Sequence, residues 1–121
     1  MIAREILQEM FDGIAEAGEW DMSEPMMWGY FFTHSNKDSL ARVVPLLRAR
    51  DYEFVDLYQG DKDDPSDVDL WWLHVQRVEA HSVDSLFARN EQLYEFATEH
   101  GLDSYDGMDV GPVEIPAEHN A

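Results

Sequence analysis

The chain has 121 residues, 45% of them hydrophobic, and its 26 Asp and Glu against 8 Lys and Arg give a formal net charge of −18. This length suits one compact domain with one core, and so negative a field repels phosphate backbones and disfavours direct binding to nucleic acid. The absence of cysteine excludes disulfides and thiolate zinc sites, and no apolar run resembles a secretory signal or could span a bilayer, so we expect a cytoplasmic protein without a membrane anchor.

The first half of the chain predicts a helix, a strand and a second helix. Residues 1–17 carry apolar side chains at helical spacing and are followed by a glycine, which suits a helix C-terminus. The aromatic run 27–33 is typical of a strand that is buried on both faces. Residues 35–50 return to helical spacing, with Ser35 as the expected N-cap. Pro45 lies inside this pattern and predicts a kink or an earlier end of the helix.

The second half predicts a β-hairpin, a third helix and a weaker last strand. Residues 52–59 and 68–79 read as the two strands of the hairpin, and the acidic loop between them is rich in turn residues. Ser82 suits the N-cap of a helix that ends before Gly101, a residue fitted to the left-handed position after a helix. Residues 104–115 contain two glycines and a proline, which favours a short or edge strand.

The order after the first helix, β-α-β-β-α-β, is that of a ferredoxin-like α+β sandwich with an antiparallel four-stranded sheet. Strict alternation along its second strand predicts that Phe54 and Leu57 lie on opposite faces. The first and third strands are central in this fold, and here they are apolar on both faces. The face opposite the two helices therefore needs cover, and we expect the N-terminal helix to provide it, with a homodimer partner as the alternative.

Three segments, taken in order, resemble the RraB family of ribonuclease E inhibitors. The first is Leu-Leu-Arg-Ala-Arg-Asp-Tyr at 46–52, where the second helix leads into a strand, and the second is Trp-Trp-Leu at 71–73, in the strand that leads into the third helix. The third is Tyr-Asp-Gly at 105–107, which is similar to the family's Tyr-Asp-Gly-Trp signature, although Met108 stands where the signature has Trp. The resemblance extends over residues 28–113.

The resemblance implies a bacterial regulator of RNA degradation that inhibits ribonuclease E by protein contact, with no catalytic residues and no cofactor. It divides the chain into an N-terminal helix with its connector (1–25), an RraB-like ferredoxin-fold domain (26–115) and a short tail (116–121) without the long acidic tail of some members. The charge independently favours a basic protein surface as the partner, and the resemblance implies that this is a basic segment of ribonuclease E or a related RNA-processing protein. The alternative is an acidic binding module, such as an immunity protein or nucleic-acid mimic, for a different basic target.

The candidate protein-binding residues are acids and aromatics in the hairpin loop, on the third strand and around the Tyr-Asp-Gly motif. We expect them to form a docking surface for positive charge, because carboxylates make strong, charge-assisted hydrogen bonds with basic side chains. The candidates are Asp61, Asp63, Asp64, Asp67, Asp69, Trp72, Asp103, Tyr105, Asp106, Gly107 and Asp109.

Each group of candidates also has a structural interpretation. The loop acids do not match a calcium loop, because Pro65 and Ser66 stand where a ligand and the required glycine belong, so they suit a solvated loop. The Tyr-Asp-Gly motif suits a turn with its tyrosine packed as a cap. Trp72 suits a sheet face that the N-terminal helix covers.

Two classes of site are disfavoured. His34, His74 and His81 have no cysteine or close ligand pair beside them, so they do not predict a zinc site, and we expect no metal. No Gly-x-Ser-x-Gly, phosphate loop or dinucleotide fingerprint is present, and scattered carboxylates in so acidic a chain do not indicate acid–base catalysis. We therefore expect a binding protein and not an enzyme.

Overall fold

The computed structural model of the chain describes residues 2–60, 64, 66 and 69–113. The four strands of this part form one antiparallel sheet in the order β2-β3-β1-β4. With the two most apolar strands in the centre, this is the ferredoxin-like α+β arrangement that the sequence predicts, preceded by one additional helix. The elements in chain order are α1 (Arg4–Ala17), β1 (Met26–His34), α2 (Lys37–Arg48), β2 (Glu53–Gln59), β3 (Trp71–Glu79), α3 (Val83–Glu99) and β4 (Ser104–Gly111).

Local signals set the ends of α1 and α3 as expected. Gly18 and Gly101 each have a φ of 68°, a left-handed conformation that glycine adopts at least cost. The Ser82 side chain accepts a hydrogen bond from the backbone N–H of Ser85, which completes a capping box at the start of α3. None of the described helices has the length and apolar character needed to cross a membrane.

The second helix begins and ends slightly differently from the prediction. Its N-cap is Asn36, whose side chain accepts a hydrogen bond from the N–H of Asp38 at 2.8 Å, so the expected cap at Ser35 is wrong by one residue. The helix continues through Pro45 and ends at Arg48. Pro45 therefore does not end the helix, which stops two residues before the predicted Arg50.

A β-bulge in β2 changes which side chains face the core. The pairing with β3 shifts its register between Phe54 and Asp56, so Val55 is an additional residue in the strand. Phe54 and Leu57 both pack against the core as a result, while Val55 is exposed. The expectation that strict alternation separates Phe54 from Leu57 is wrong, because the bulge adds one position to the period of two.

The hydrophobic core fills the space between one face of the sheet and the helices. Its centre is a row on β1, Trp28, Tyr30 and Phe32, each at most 1% exposed. The Phe32 ring lies 5.8 Å from the ring of Phe96 on α3, measured between centroids. Burying each such side chain stabilises the fold by about 1.5–3 kcal/mol relative to exposure. The buried residues of α2 are Leu40, Val43 and Leu47.

The N-terminal helix packs beside α3, on the same side of the sheet as the core. Leu7 is fully buried, the Phe11 ring stacks on Trp28 with 6.3 Å between centroids, and Arg4 pairs with Asp84 at the start of α3. The expectation that α1 covers the opposite face is therefore wrong. Trp28 gives the physical reason, because its large ring lies on the core side and offers α1 an apolar surface there.

The other face of the sheet, here named the open sheet face, carries none of the described helices. It consists of the alternate strand residues that point away from the core. Several of them are aromatic or apolar, although no described element covers them. The residues of the open sheet face are Met27, Gly29, Phe31 and Thr33 of β1, Glu53, Asp56 and Tyr58 of β2, Trp72, His74, Gln76 and Val78 of β3, and Ser104, Gly107, Asp109 and Gly111 of β4.

Candidate binding surface

The open sheet face contains a shallow pocket of about 340 Å³, here named the aromatic groove. Tyr58 of the edge strand β2 and Trp72 of β3 are direct partners in the sheet, and both line the groove together with Phe31 of β1. Asp106, Gly107 and Met108 of the opposite edge strand β4 complete it. Side chains from all four strands meet here because the ferredoxin-like order brings β1 and β3 together in the middle of the sheet.

Beside the groove, a histidine and a carboxylate lie directly over a glycine. The His74 ring stacks on Phe31 with 4.4 Å between centroids and an angle of 20°. A β-carbon added at Gly29 would stand 2.7 Å from His74 Nε2 and 2.3 Å from Asp109 Oδ1, so only glycine leaves room for both groups. His74 Nε2 is shielded from solvent and has no hydrogen-bond partner among the described residues. It is therefore a buried polar atom on this face of the sheet.

Three aspartates give the groove a negative environment. Asp56, Asp106 and Asp109 are exposed, and none of them forms an ion pair with a described Lys or Arg. Burial raises the pKa of the Tyr58 hydroxyl, and the three carboxylates raise it further by opposing a negative phenolate. Carboxylates from both edge strands of the sheet therefore act electrostatically on the Tyr58 hydroxyl.

The candidate acids of the hairpin loop are only partly described. The Asp64 side chain accepts hydrogen bonds from the backbone N–H and the hydroxyl of Ser66, both at 2.9 Å, which is local turn chemistry. Asp69 is exposed shortly before β3 begins. The other loop candidates, Asp61, Asp63 and Asp67, lie outside the described residues.

The candidate Asp103 has a local structural contact. Its Oδ2 accepts a hydrogen bond from the backbone N–H of Ser35 at 2.8 Å, and its Oδ1 lies 3.7 Å from His34 Nε2. These contacts join the end of β1 to the residue before β4. Asp103 therefore stands apart from the aromatic groove.

The Tyr-Asp-Gly motif forms a β-bulge in β4 and not the expected turn. Tyr105 pairs with Phe32 and Gly107 with Phe31, so Asp106 is the additional residue between them. Gly107 has a φ of 150°, which favours glycine. The Tyr105 side chain is only 3% exposed and donates a hydrogen bond to Asn90 Oδ1 at 2.6 Å. Tyr105 thus belongs to the core, whereas Asp106 and Gly107 reach the groove.

A buried ion-pair cluster that the sequence reasoning missed, here named the Glu79 network, lies on the core side of the sheet. The Glu79 side chain is 12% exposed, and its Oε2 lies 2.9 Å from His81 Nε2 and accepts a hydrogen bond from the Tyr30 hydroxyl at 2.5 Å. Its Oε1 accepts a hydrogen bond from Arg89 of α3 at 2.7 Å. The other His81 nitrogen lies 2.9 Å from the Ser85 hydroxyl. The network ties the end of β3 to α3.

The Glu79 network stabilises a charged carboxylate in a mostly buried place. Burial alone would raise the pKa of Glu79, but the hydrogen bonds from His81, Tyr30 and Arg89 outweigh it and lower the pKa from 4.5 to about 2. Burial and the bond to Glu79 raise the pKa of Tyr30, so its hydroxyl remains a donor. Arg89 is the single cation of α3, which is the one sequence signal that points to a carboxylate partner nearby.

The three histidines do not come together. His74 lies on the open sheet face, His81 belongs to the Glu79 network on the core side, and His34 approaches Asp103 at the end of β1. Among the described residues, no group of three His, Asp or Glu side chains is placed to hold a metal ion.

A comparison of the sequence with known proteins identifies a family. A family model described as RraB, regulator of ribonuclease activity B, matches residues 4–110. The matched region begins with α1 and includes nearly all of β4, so the N-terminal helix is part of it. No curated protein and no solved structure matches the chain.

Proposed function

Since the chain belongs to the RraB family of regulators of ribonuclease activity, we propose that it regulates a ribonuclease by binding a basic segment of that protein with its open sheet face. Ribonuclease E or a related RNA-processing protein is the target that the family favours. The observation that carries the proposal is the aromatic groove with the three carboxylates around it, Asp56, Asp106 and Asp109. None of these carboxylates forms an ion pair with a described cation. Carboxylates around a hydrophobic centre complement a basic segment that also carries apolar surface.

The proposed regulation works by contact and not by catalysis, in the cytoplasm. Among the described carboxylates, Glu79 has the largest pKa shift, but it has partners on both oxygens, so it is poorly placed to move a proton in a reaction. A chain without cysteine also fits a reducing compartment.

The open sheet face suits a basic partner better than a second copy of the chain. Two such faces in contact would bring Asp56, Asp106 and Asp109 of each copy together, and like charges directly opposed are unfavourable. The overall charge of −18 adds to this repulsion at low salt. We therefore propose a monomer that binds its target with the open sheet face.

The test is a cleavage assay with purified ribonuclease E and a fluorescently labelled RNA substrate. Added protein should slow cleavage at low ionic strength, and the effect should weaken as salt rises, since screening shortens the reach of surface charge to about 8 Å at 0.15 M. Unchanged cleavage at low salt, with the protein in large excess, would contradict the proposal.

Two variants of equal charge separate contact at the groove from the general field of the protein. One carries Asp→Asn at Asp56, Asp106 and Asp109, and the control carries Glu→Gln at three exposed positions on the helices; each has a net charge of −18 + 3 = −15. The groove variant should lose most of the inhibition and the control should keep it. Equal losses would mean that the open sheet face is not the contact surface. The control positions are Glu9, Glu16 and Glu99.

A further inference from the structure

The aromatic groove offers ring faces that attract cations. Trp72 and Tyr58 are neighbours on adjacent strands, and Phe31 lines the same pocket. Tyr58 is 38% exposed, so part of its ring is open to a partner. The faces of aromatic rings carry negative charge density, and tryptophan attracts cations most strongly.

None of the described Lys and Arg residues occupies these rings. On the core side, Arg48 lies over Phe54 at 5.8 Å and Arg50 over Phe96 at 5.0 Å, measured to the ring centroids. No described Lys or Arg lies over a ring of the aromatic groove. Among the described residues, therefore, no cation competes for these rings with a cation from outside.

We propose that the aromatic groove binds the guanidinium group of an arginine in the partner's basic segment, stacked on Trp72 and Tyr58 and hydrogen-bonded to the carboxylate of Asp106. The inference rests on the proposed function and adds the chemistry of the contact.

Arginine fits this groove better than lysine for reasons of shape and hydration. Its guanidinium is planar, so it stacks on an aromatic face while its N–H groups form paired hydrogen bonds with a carboxylate in the same plane. A lysine ammonium is a compact, strongly hydrated charge that gains less from a flat ring. A nucleic-acid base would also stack on these rings, but its phosphate would approach the three flanking carboxylates, which disfavours RNA.

The test is a titration of the isotope-labelled full chain with short peptides, followed by amide chemical shifts. The probes are a Gly/Arg peptide with four arginines, the matching Gly/Lys peptide of equal charge, and a single-stranded uridine oligonucleotide. We expect the arginine peptide to bind roughly tenfold more tightly than the lysine peptide. The shifts should centre on Tyr58, Trp72 and Asp106.

Single substitutions identify the residues that cause the preference for arginine over lysine. Trp72→Leu and Asp106→Asn should each reduce the arginine preference severalfold, whereas Trp20→Leu and Glu99→Gln, which make the same chemical changes away from the groove, should leave it in place. Asp106→Asn changes only an exposed side chain, so it keeps the test valid if Trp72→Leu fails to fold. The inference is overturned by equal affinity for the two peptides, by an arginine preference that survives Asp106→Asn, or by tighter binding of the oligonucleotide in the groove.

The cleavage assay keeps this inference separate from the proposed function. If the protein slows ribonuclease cleavage but shows no arginine preference, the groove chemistry is wrong and the proposed function stands. If the groove selects arginine but cleavage is unchanged in excess protein, the groove chemistry stands and the proposed function is wrong.

Discussion

Glu79 gives the sharpest prediction about stability, because its mostly buried carboxylate has four partners: Tyr30, His81, Arg89 and, at 3.6 Å, the Nε of Arg77. Glu79→Gln keeps the shape of the side chain and removes the charge that Tyr30, His81 and Arg89 stabilise. The variant also leaves the guanidinium of Arg89 without its buried counter-charge. We therefore expect a clear loss of stability at neutral pH.

The magnitude follows from the pKa of Glu79, which is lowered from 4.5 to about 2. One pKa unit corresponds to about 1.4 kcal/mol, so the charged form of Glu79 contributes about 3 kcal/mol to the free energy of unfolding. This agrees with the ~3–5 kcal/mol lost when one partner of a buried ion pair is removed. Since the pKa is lower in the folded state, the contribution is complete above about pH 5 and is lost as the pH falls towards 2.

The assay is urea unfolding of the natural chain and Glu79→Gln at pH 7 and pH 3, followed by tryptophan fluorescence. The difference in free energy of unfolding should be about 3 kcal/mol at pH 7 and smaller by about 2 kcal/mol at pH 3. Glu99→Gln, which removes an exposed carboxylate, serves as the control and should change stability by less than about 0.5 kcal/mol. A difference between the natural chain and Glu79→Gln that is equal or larger at pH 3 would refute the reasoning.

Two further predictions concern backbone conformation and a buried hydrogen bond, and both are measured by urea unfolding. Gly13→Ala, inside α1 with free space around it, should stabilise the fold by about 0.5–1 kcal/mol, while Gly18→Ala, at a φ of 68°, should destabilise it by about 1 kcal/mol; the same sign for both would contradict this. Tyr105→Phe should cost about 1–3 kcal/mol by leaving Asn90 Oδ1 unpaired, and adding Asn90→Leu should recover part of the loss. No recovery in the double variant would mean that packing, not the hydrogen bond, sets the cost.

The order of elements and most helix ends could be predicted from the sequence, because they depend on local chemistry. Periodicity located the helices, and Gly18, Ser82 and Gly101 occupy the end positions that their conformational preferences predict. The bulges at Val55 and Asp106 could not be predicted, since one additional residue in a strand leaves no mark in the alternation that identifies it.

Contacts between distant parts of the chain were the features that the sequence could not predict. The amphipathic pattern shows that α1 has one apolar face but not which side of the sheet it packs on. The apolar contact with the Trp28 ring places α1 on the core side. The Glu79 network joins residues on β1, β3 and α3 in the same way. For the candidate surface, topology brings Trp72, Asp106 and the edge strand β2 to one face, whereas the burial of Tyr105 depends on the bulge beside it.

The two bulges have a consequence for how another protein can approach the sheet. They lie on β2 and β4, which are the two edges of the sheet, and an irregular, acidic edge is a poor template for pairing with a foreign strand. Addition of an extended peptide as a further strand at the sheet edge, which would select little for sequence, is therefore disfavoured. A ligand must therefore be distinguished by its side chains, and the same irregular edges disfavour edge-to-edge pairing between copies of the chain.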